Sequence, residues 1–291
     1  MSVVRVASVQ APVVFGDPTA NAAYAVARLE ELAVRGVQLA VFPEAFLTGY
    51  CVTDAEEARA IALPIRLEGD EIVEAPESVQ SIREAAQRLG VHAVFGFAGV
   101  DARGVINVAA LVEPSGRLRA YLKTHLPELG LDKHVVPGDS LPVFDTEIGR
   151  IGILICFDLR PPEPMRCLAI QGADLIALPT NWPVGAEMSA ELLSRARALE
   201  SRVHFVACDR IGEERGFRFI GMSSIVDATG TVLALAGAEA EVLVADLDLA
   251  VAREKRIRTI PGQYEWTVFE SRRPDLYGAL LRNDPSGVEA R

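Results

Sequence analysis

Ile151-Gly152-Ile153-Leu154-Ile155-Cys156 is a short aliphatic run, and the polar, turn-prone segment Phe157-Asp158-Leu159-Arg160-Pro161-Pro162-Glu163 follows it directly. A run bounded in this way predicts a buried strand, and the two prolines predict a helix start, where a missing N–H costs nothing. Cys156 then lies on a sharp strand-to-helix turn. α/β folds display nucleophiles at such turns, because the side chain projects beyond the strand end. The alternative is a buried, inert cysteine, which is common for free thiols.

Strand-like and helix-like segments alternate along the rest of the chain. The apolar patterns predict helices at Pro18–Val34, Ser78–Leu89, Pro162–Gln171 and Glu187–Arg202, and strands at Val3–Gln10, Val37–Phe42, Val91–Val100, Val105–Glu113, Arg117–Leu122, Ile151–Ile155, Asp174–Leu178 and Val203–Cys208, with three more within Met222–Leu247. No linker, repeat or composition shift divides residues 1–291. We therefore expect one α/β domain with partly parallel, partly antiparallel sheets and helices on the outer faces.

The C-terminal tail, residues 255–291, has little apolar periodicity but carries Tyr264, Trp266, Phe269 and Tyr277. Large aromatic side chains on such a segment predict that it packs on another surface, either of the same subunit or of a partner.

Composition narrows the possible partners. The chain has 29 basic and 40 acidic residues, a net charge of −11, and no basic cluster, which argues against nucleic acid. No apolar stretch approaches the roughly 18 residues of a membrane span, and the N-terminus begins as a strand without a signal-peptide pattern. The four cysteines show no metal-binding or disulfide spacing. These features favour a cytoplasmic protein without a metal site.

Two more polar residues occupy positions like that of Cys156. Glu44 follows the strand Val37–Phe42, and Lys123 follows the strand Arg117–Leu122. The carboxyl ends of neighbouring strands line one crevice, so a carboxylate, an ammonium and a thiol converge if these strands are neighbours. Solvated loop charges are the alternative for both residues.

Three segments together resemble the glutamate, lysine and cysteine motifs of the nitrilase superfamily of carbon–nitrogen hydrolases: Phe42-Pro43-Glu44 with Gly49-Tyr50, Lys123-Thr124-His125-Leu126-Pro127, and Cys156-Phe157-Asp158-Leu159-Arg160 with Pro162-Glu163. Further matching segments are Leu178-Pro179-Thr180-Asn181-Trp182, Arg197-Ala198-Leu199-Glu200-Ser201-Arg202 and Gly221-Met222-Ser223-Ser224. The resemblance runs from about Val4 to Tyr277, and the order of the motifs makes it specific.

The resemblance implies a four-layer αββα sandwich that pairs into an αββα–αββα dimer. From its aromatic residues we expect the C-terminal tail, residues 255–291, to pack at the dimer interface. The resemblance also implies a catalytic triad with Cys156 as nucleophile, Glu44 as general base and acid, and Lys123 as electrostatic stabiliser. The backbone N–H of Phe157 is placed to donate a hydrogen bond to the carbonyl oxygen of the substrate as negative charge develops on it. No cofactor or metal is required.

Two features of the resembling family are less clear in this sequence. Many relatives carry a second glutamate after the lysine, and here either Glu128 or Asp132 could fill that role, or both could be exposed loop charges. Possible substrate-binding residues are Tyr50, Arg160, Asn181 and Trp182. Arg160 could bind a substrate carboxylate, or it could pair with Asp158 or Glu163 and brace the turn.

Phe157-Asp158 after the cysteine is similar to the amidase and carbamoylase branches, whereas nitrilases usually have Trp-Glu there. We therefore expect hydrolysis of a small linear amide with release of ammonia through a thioester. One alternative is a hydrolase of N-carbamoyl amino acids or amines, and a nitrilase is less favoured. A second class of enzyme is a Cys-His hydrolase that uses His125 or His204 as base. A catalytically silent scaffold relative is the alternative outside enzymes.

Overall fold

The computed structural model describes residues 3–281, which fall into two compact units that divide between Arg253 and Glu254. The first unit contains two large sheets and the second a small hairpin. The strands, in chain order, are β1 Val3–Gln10, β2 Leu39–Val41, β3 Leu63–Pro64, β4 Arg66–Glu68, β5 Glu71–Glu74, β6 His92–Asp101, β7 Gly104–Val112, β8 Leu118–Leu122, β9 Val143–Thr146, β10 Gly149–Ile153, β11 Leu175–Pro179, β12 His204–Cys208, β13 Ile211–Glu214, β14 Phe217–Ile220, β15 Ser224–Val226, β16 Val232–Leu235, β17 Glu241–Asp248, β18 Arg256–Ile260 and β19 Tyr264–Thr267.

Six α-helices accompany these strands within residues 3–281. They are α1 Pro18–Val34, α2 Ala55–Ile61, α3 Glu77–Leu89, α4 Glu163–Ile170, α5 Ser194–Ser201 and α6 Leu249–Arg253, with a 3-10 turn at Cys156–Leu159 and a π-helical turn at Ser189–Leu193. The helix α1 begins after Asp17, whose side chain accepts a hydrogen bond from the Ala20 N–H, and a proline occupies its first turn.

The two sheets of the first unit have mixed strand directions, as predicted. The larger one runs in the order β17-β1-β2-β6-β7-β8-β5-β4, with β3 beside β6, and the smaller one runs β16-β15-β12-β11-β10-β9. Each is parallel at its centre, through β1-β2-β6 and β10-β11-β12, and antiparallel towards its edges. Central parallel strands are buried on both faces, which explains their continuous apolar runs.

Four layers result from the packing of these elements. Helices α1 and α3 pack together over the larger sheet and share its apolar core. Helices α4 and α5 pack on the smaller sheet side, and β1, β2 and β6 face β11 and β12 between the helical layers. The buried Ser8 hydroxyl donates to the Ala207 carbonyl across this sheet interface at 2.9 Å. The predicted αββα sandwich is confirmed.

The strands that precede Glu44, Lys123 and Cys156 are not neighbours. The first two, β2 and β8, lie in the larger sheet with β6 and β7 between them, whereas β10 lies in the smaller sheet. The crevice therefore forms between two stacked sheets rather than along one sheet edge.

Several observed elements differ from those that the sequence patterns predict. Helix α2 and the hairpin β13–β14 lie in segments without a clear apolar period. The predicted helix Glu187–Arg202 contains the π-helical turn before α5. The tail forms the hairpin β18–β19, and residues 282–291 lie outside the described part of the chain.

Candidate active site

A buried charge cluster forms around Lys123, directly after β8. Its Nζ lies 2.7 Å from Glu44 Oε1 and 2.5 Å from Asp132 Oδ2. All three residues are almost fully buried, at 1%, 0% and 3% exposure. Burial alone would lower the pKa of Lys123, but the two carboxylates raise that pKa well above its ordinary value. Lys123 is therefore a fixed cation rather than a proton donor at neutral pH.

The carboxyl group of Glu44 has one anchored oxygen and one free oxygen. Oε1 accepts hydrogen bonds from Lys123 and, at 2.8 Å, from Asn107 Nδ2. Oε2 is buried and has no hydrogen-bond partner within residues 3–281. Burial raises the pKa of Glu44, the charge of Asp132 raises it further, and Lys123 opposes both. A carboxyl with a raised pKa and a free oxygen can serve as base and then as acid.

Cys156 lies in the 3-10 turn with a positive φ of 45°, a conformation that few residues other than glycine adopt. Burial raises the pKa of the thiol and the charge of Glu44 adds to this, whereas Lys123, the Thr180 hydroxyl and the Asn181 N–H lower it. The sulfur is thus within electrostatic range of both charged residues. A thiol with a raised pKa needs a base to become nucleophilic.

A cavity of about 280 Å³ opens in front of Cys156. Residues from several loops line it, among them Tyr50, Leu129, Phe157, Arg160, Asn181 and Trp182. Arg160 is the only charged residue among those that line it. Its guanidinium is exposed and makes no ion pair within the described part of the chain, so the expected pairing with Asp158 or Glu163 does not occur. Glu44 and Lys123 are buried and are not among the residues that line it.

Asn181 and Trp182 follow β11 and form one wall of the cavity. Both side-chain amide atoms of Asn181 are buried without a hydrogen-bond partner among the described residues, although the residue is only 2% exposed. The backbone N–H of Trp182 donates to Asp209 Oδ1 at 2.8 Å, which fixes the loop. A buried, unpaired amide beside a cavity is available to hydrogen-bond a ligand.

Tyr50 connects the cavity wall to the charge cluster. Its hydroxyl donates to Asp132 Oδ2 at 2.7 Å, and burial raises the pKa of this phenol well above its ordinary value. Its backbone N–H donates to Glu214 Oε1 at 2.8 Å. Asp132 therefore contacts Lys123 and Tyr50 at once. Glu128 is exposed, and of the two candidates only Asp132 reaches Lys123.

Two polar residues of this region were missed in the sequence. Asn107, in the middle of β7, donates to Glu44 Oε1 and to Asp132 Oδ1, both at 2.8 Å. A polar residue inside an otherwise apolar strand was the available signal. Asp158, fully buried in the turn after Cys156, accepts hydrogen bonds from five donors.

The histidines do not form a Cys-His arrangement. Both ring nitrogens of His204 contact backbone, the Asp248 carbonyl at 2.9 Å and the Ala228 N–H at 3.2 Å. His125 directs Nδ1 to Asp158 Oδ1 at 2.8 Å, and this hydrogen bond raises the pKa of the imidazole. Neither is set as a base for Cys156.

Residues 3–281 contain neither a helix suited to cross a membrane nor a cluster of side chains suited to hold a metal ion. No helix there combines the length and apolar character needed to cross a membrane. No group of three or more histidine, cysteine, aspartate or glutamate side chains is arranged to hold a metal ion.

The chain is similar to a family model, to curated proteins and to solved structures. The carbon–nitrogen hydrolase family model matches residues 5–257. A nitrilase from Pyrococcus abyssi is 38% identical over 94% of this chain and 99% of its own, and a 2-oxoglutaramate amidase from Bacillus subtilis is 29% identical over 94% and 98%. The crystal structure of Nit3 from Saccharomyces cerevisiae, a nitrilase-superfamily member, superposes with a TM-score of 0.77 at 25% identity and covers 87% of this chain and 92% of that one. The chain belongs to the carbon–nitrogen hydrolase family of the nitrilase superfamily and is a carbon–nitrogen hydrolase.

Proposed function

We propose that the protein hydrolyses a small linear amide, with Cys156 as nucleophile, Glu44 as general base and acid, and Lys123 as electrostatic stabiliser. The observation that carries this proposal is the single ammonium held between two buried carboxylates, which anchors one Glu44 oxygen and leaves the other free. A structural ion pair would not require an unpaired carboxylate oxygen in a buried site.

In the acylation step, ionised Glu44 removes the proton from the Cys156 thiol as the sulfur attacks the amide carbon. Negative charge moves to the carbonyl oxygen, where Lys123 and the Phe157 backbone N–H stabilise it. The carbon–nitrogen bond then breaks as Glu44 returns its proton to the nitrogen. Ammonia leaves, and the acyl group remains on sulfur as a thioester.

In the deacylation step, Glu44 removes a proton from water, and the resulting hydroxide attacks the thioester carbon. The carbon–sulfur bond breaks, the sulfur regains a proton from Glu44, and a carboxylic acid is released. The raised pKa of Glu44 suits both steps, because the group must exchange a proton twice per cycle near neutral pH. Asp132 and Asn107 act as positioning residues for Lys123 and Glu44.

The cavity favours a substrate with an amide at one end and an anionic group at the other. Asn181 offers a donor and an acceptor near the sulfur, and Trp182 offers an apolar wall. Arg160 offers an unpaired cation to a carboxylate. The similar 2-oxoglutaramate amidase acts on such a compound. An N-carbamoyl amino acid presents the same pair of groups and is the second candidate, favoured by the same arginine.

Ammonia release from a panel of amides, N-carbamoyl compounds and nitriles tests this proposal. We expect turnover of at least one carboxylate-bearing amide, and loss of that turnover in Cys156→Ala and Cys156→Ser with the fold retained. Cys167→Ser, which alters an exposed cysteine outside the cavity, is the matched control and should retain activity. Turnover that survives Cys156→Ala, or a panel on which only nitriles react, would overturn the assignment.

We also propose that the chain forms an αββα–αββα homodimer in the cytoplasm, with residues 255–291 at the interface. Exposed apolar side chains in the tail support this, among them Tyr264, Trp266 and Leu276. All four cysteines are unpaired, which suits a reducing compartment. Light scattering of the full chain and of Tyr264→Ser with Trp266→Ser tests the interface. We expect a dimer that dissociates in the double variant.

A further inference from the structure

We infer that Asp158 is a positioning residue that joins the Lys123 loop to the Cys156 turn and so fixes the nucleophile relative to its electrostatic partner. This inference rests on the proposed roles of those two residues. Asp158 is fully buried and is not among the residues that line the cavity, so it acts through its neighbours rather than on substrate.

On the cysteine side, Asp158 closes the turn that carries the nucleophile. Its Oδ2 accepts the backbone N–H of Ile155 at 2.9 Å, and its own N–H donates to the Ile155 carbonyl at 3.0 Å. Cys156 lies between these two contacts with its positive φ. A strained residue of this kind persists only where surrounding bonds hold it, and this pair of hydrogen bonds does so.

On the lysine side, Asp158 is bound by residues on both flanks of Lys123. Tyr121 donates its hydroxyl to Oδ2 at 2.8 Å. Oδ1 accepts the Thr124 hydroxyl at 3.0 Å, the His125 N–H at 2.9 Å and His125 Nδ1 at 2.8 Å, with the ring proton on that nitrogen. Tyr121 belongs to the end of β8, and Thr124 and His125 belong to the segment that follows this strand.

One carboxylate thus connects two loops that come from different sheets. No backbone ladder links β8 to β10, and the hydrogen bonds of Asp158 join the segment around Lys123 directly to the turn that carries Cys156. A displacement near 1 Å at a catalytic group costs roughly 100-fold in rate. We therefore expect loss of the connection to reduce kcat with little change in KM.

The test uses Asp158→Asn together with Thr124→Val and its conservative counterpart Thr124→Ser. The asparagine turns one acceptor into a donor that faces other donors, and we expect kcat to fall about 100-fold with KM within about threefold. Thr124→Val removes one hydroxyl at constant volume and should lower kcat about tenfold. Thr124→Ser restores that hydroxyl and should recover most of the activity.

Asp174→Asn separates positioning from general destabilisation. Asp174 is also a buried carboxylate that accepts a backbone N–H, from Arg150 at 3.0 Å, but it lies at the opposite end of β11 from Asn181. We expect this variant to melt earlier while kcat stays near wild type. An equal loss of kcat in Asp174→Asn, or an unchanged kcat in Asp158→Asn, overturns the inference.

Iodoacetamide alkylation of Cys156 tests the connection even if no amide is turned over. In Asp158→Asn we expect alkylation at pH 7 to be about tenfold slower than in the wild type, because burial raises the pKa of the thiol and a positioned base must assist. Alkylation of the exposed Cys167 is the internal control. An alkylation rate of Cys156 that is unchanged in Asp158→Asn contradicts the inference. Failure of the amide panel alone contradicts only the proposed function.

Discussion

Replacing Gly96 with alanine should disable the site without altering any residue of the charge cluster. A Cβ at this position of β6 would lie 2.4 Å from the Ala45 N and 2.8 Å from both Glu44 Cα and the Pro43 carbonyl oxygen. These are backbone atoms, so no side-chain rotation relieves the overlap. Restoring ordinary contact requires about 1 Å of separation between β6 and the Glu44 turn.

The expected cost follows from that separation. Overpacking of this kind lowers the free energy of unfolding by about 1–3 kcal/mol, and a 1 Å displacement of Glu44 lowers kcat roughly 100-fold. Two backbone hydrogen bonds around Gly96, to Pro43 and from Leu47, are stretched at the same time. Denaturant unfolding and ammonia release measure the two effects separately.

Gly99→Ala on the same strand is the matched control. Its Cβ would meet only side-chain atoms, with Val108 Cγ2 closest at 2.9 Å, and these can shift. We expect a loss of stability of at most about 1 kcal/mol and activity within about threefold of wild type. If Gly96→Ala retains the activity of Gly99→Ala, the position of Glu44 does not depend on this close approach of β6.

Three further predictions concern single side chains of the site. Asp132→Asn should lower kcat/KM about 10- to 100-fold. It should also move the acid limb of the pH profile of kcat/KM to lower pH, because the negative charge of Asp132 no longer raises the pKa of Glu44. The control Glu128→Gln should change neither kcat/KM nor its pH profile. Arg160→Gln should raise KM about tenfold for carboxylate-bearing amides and leave KM for neutral amides unchanged, and equal effects on both would contradict a carboxylate-binding role. Asn181→Ala should lower kcat/KM for amides about tenfold, and steady-state kinetics that match wild type would exclude a substrate contact.

The local elements could be predicted from the sequence because each apolar run has the period and length of one element. The strand, turn and helix around Cys156 are an example, since Ile151–Ile155 can only be buried and Pro162 cannot continue a strand interior. The placement of Glu44 and Lys123 at strand ends followed from the same patterns.

The association of strands into sheets could not be predicted in the same way. Pairing is set by contacts between distant segments, and nothing local distinguishes β8 in one sheet from β10 in the other. The role of Asn107 depends on which face of β7 meets the Glu44 turn. Similarly, the hydrogen-bond partners of Asp158 come from both sheets, so they can be identified only when the stacking of the two sheets is known.

Acylation of Cys156 is the most direct test of the proposed mechanism. The wild-type protein is quenched with acid during turnover of a saturating amide, and the Cys156 peptide is analysed by mass spectrometry, with hydroxylamine added in parallel to capture the acyl group. In the wild type we expect a mass increase equal to the acyl group on Cys156 and a hydroxamate product, and in Cys156→Ala we expect neither. Turnover with an unmodified Cys156 and no hydroxamate would contradict the proposed mechanism.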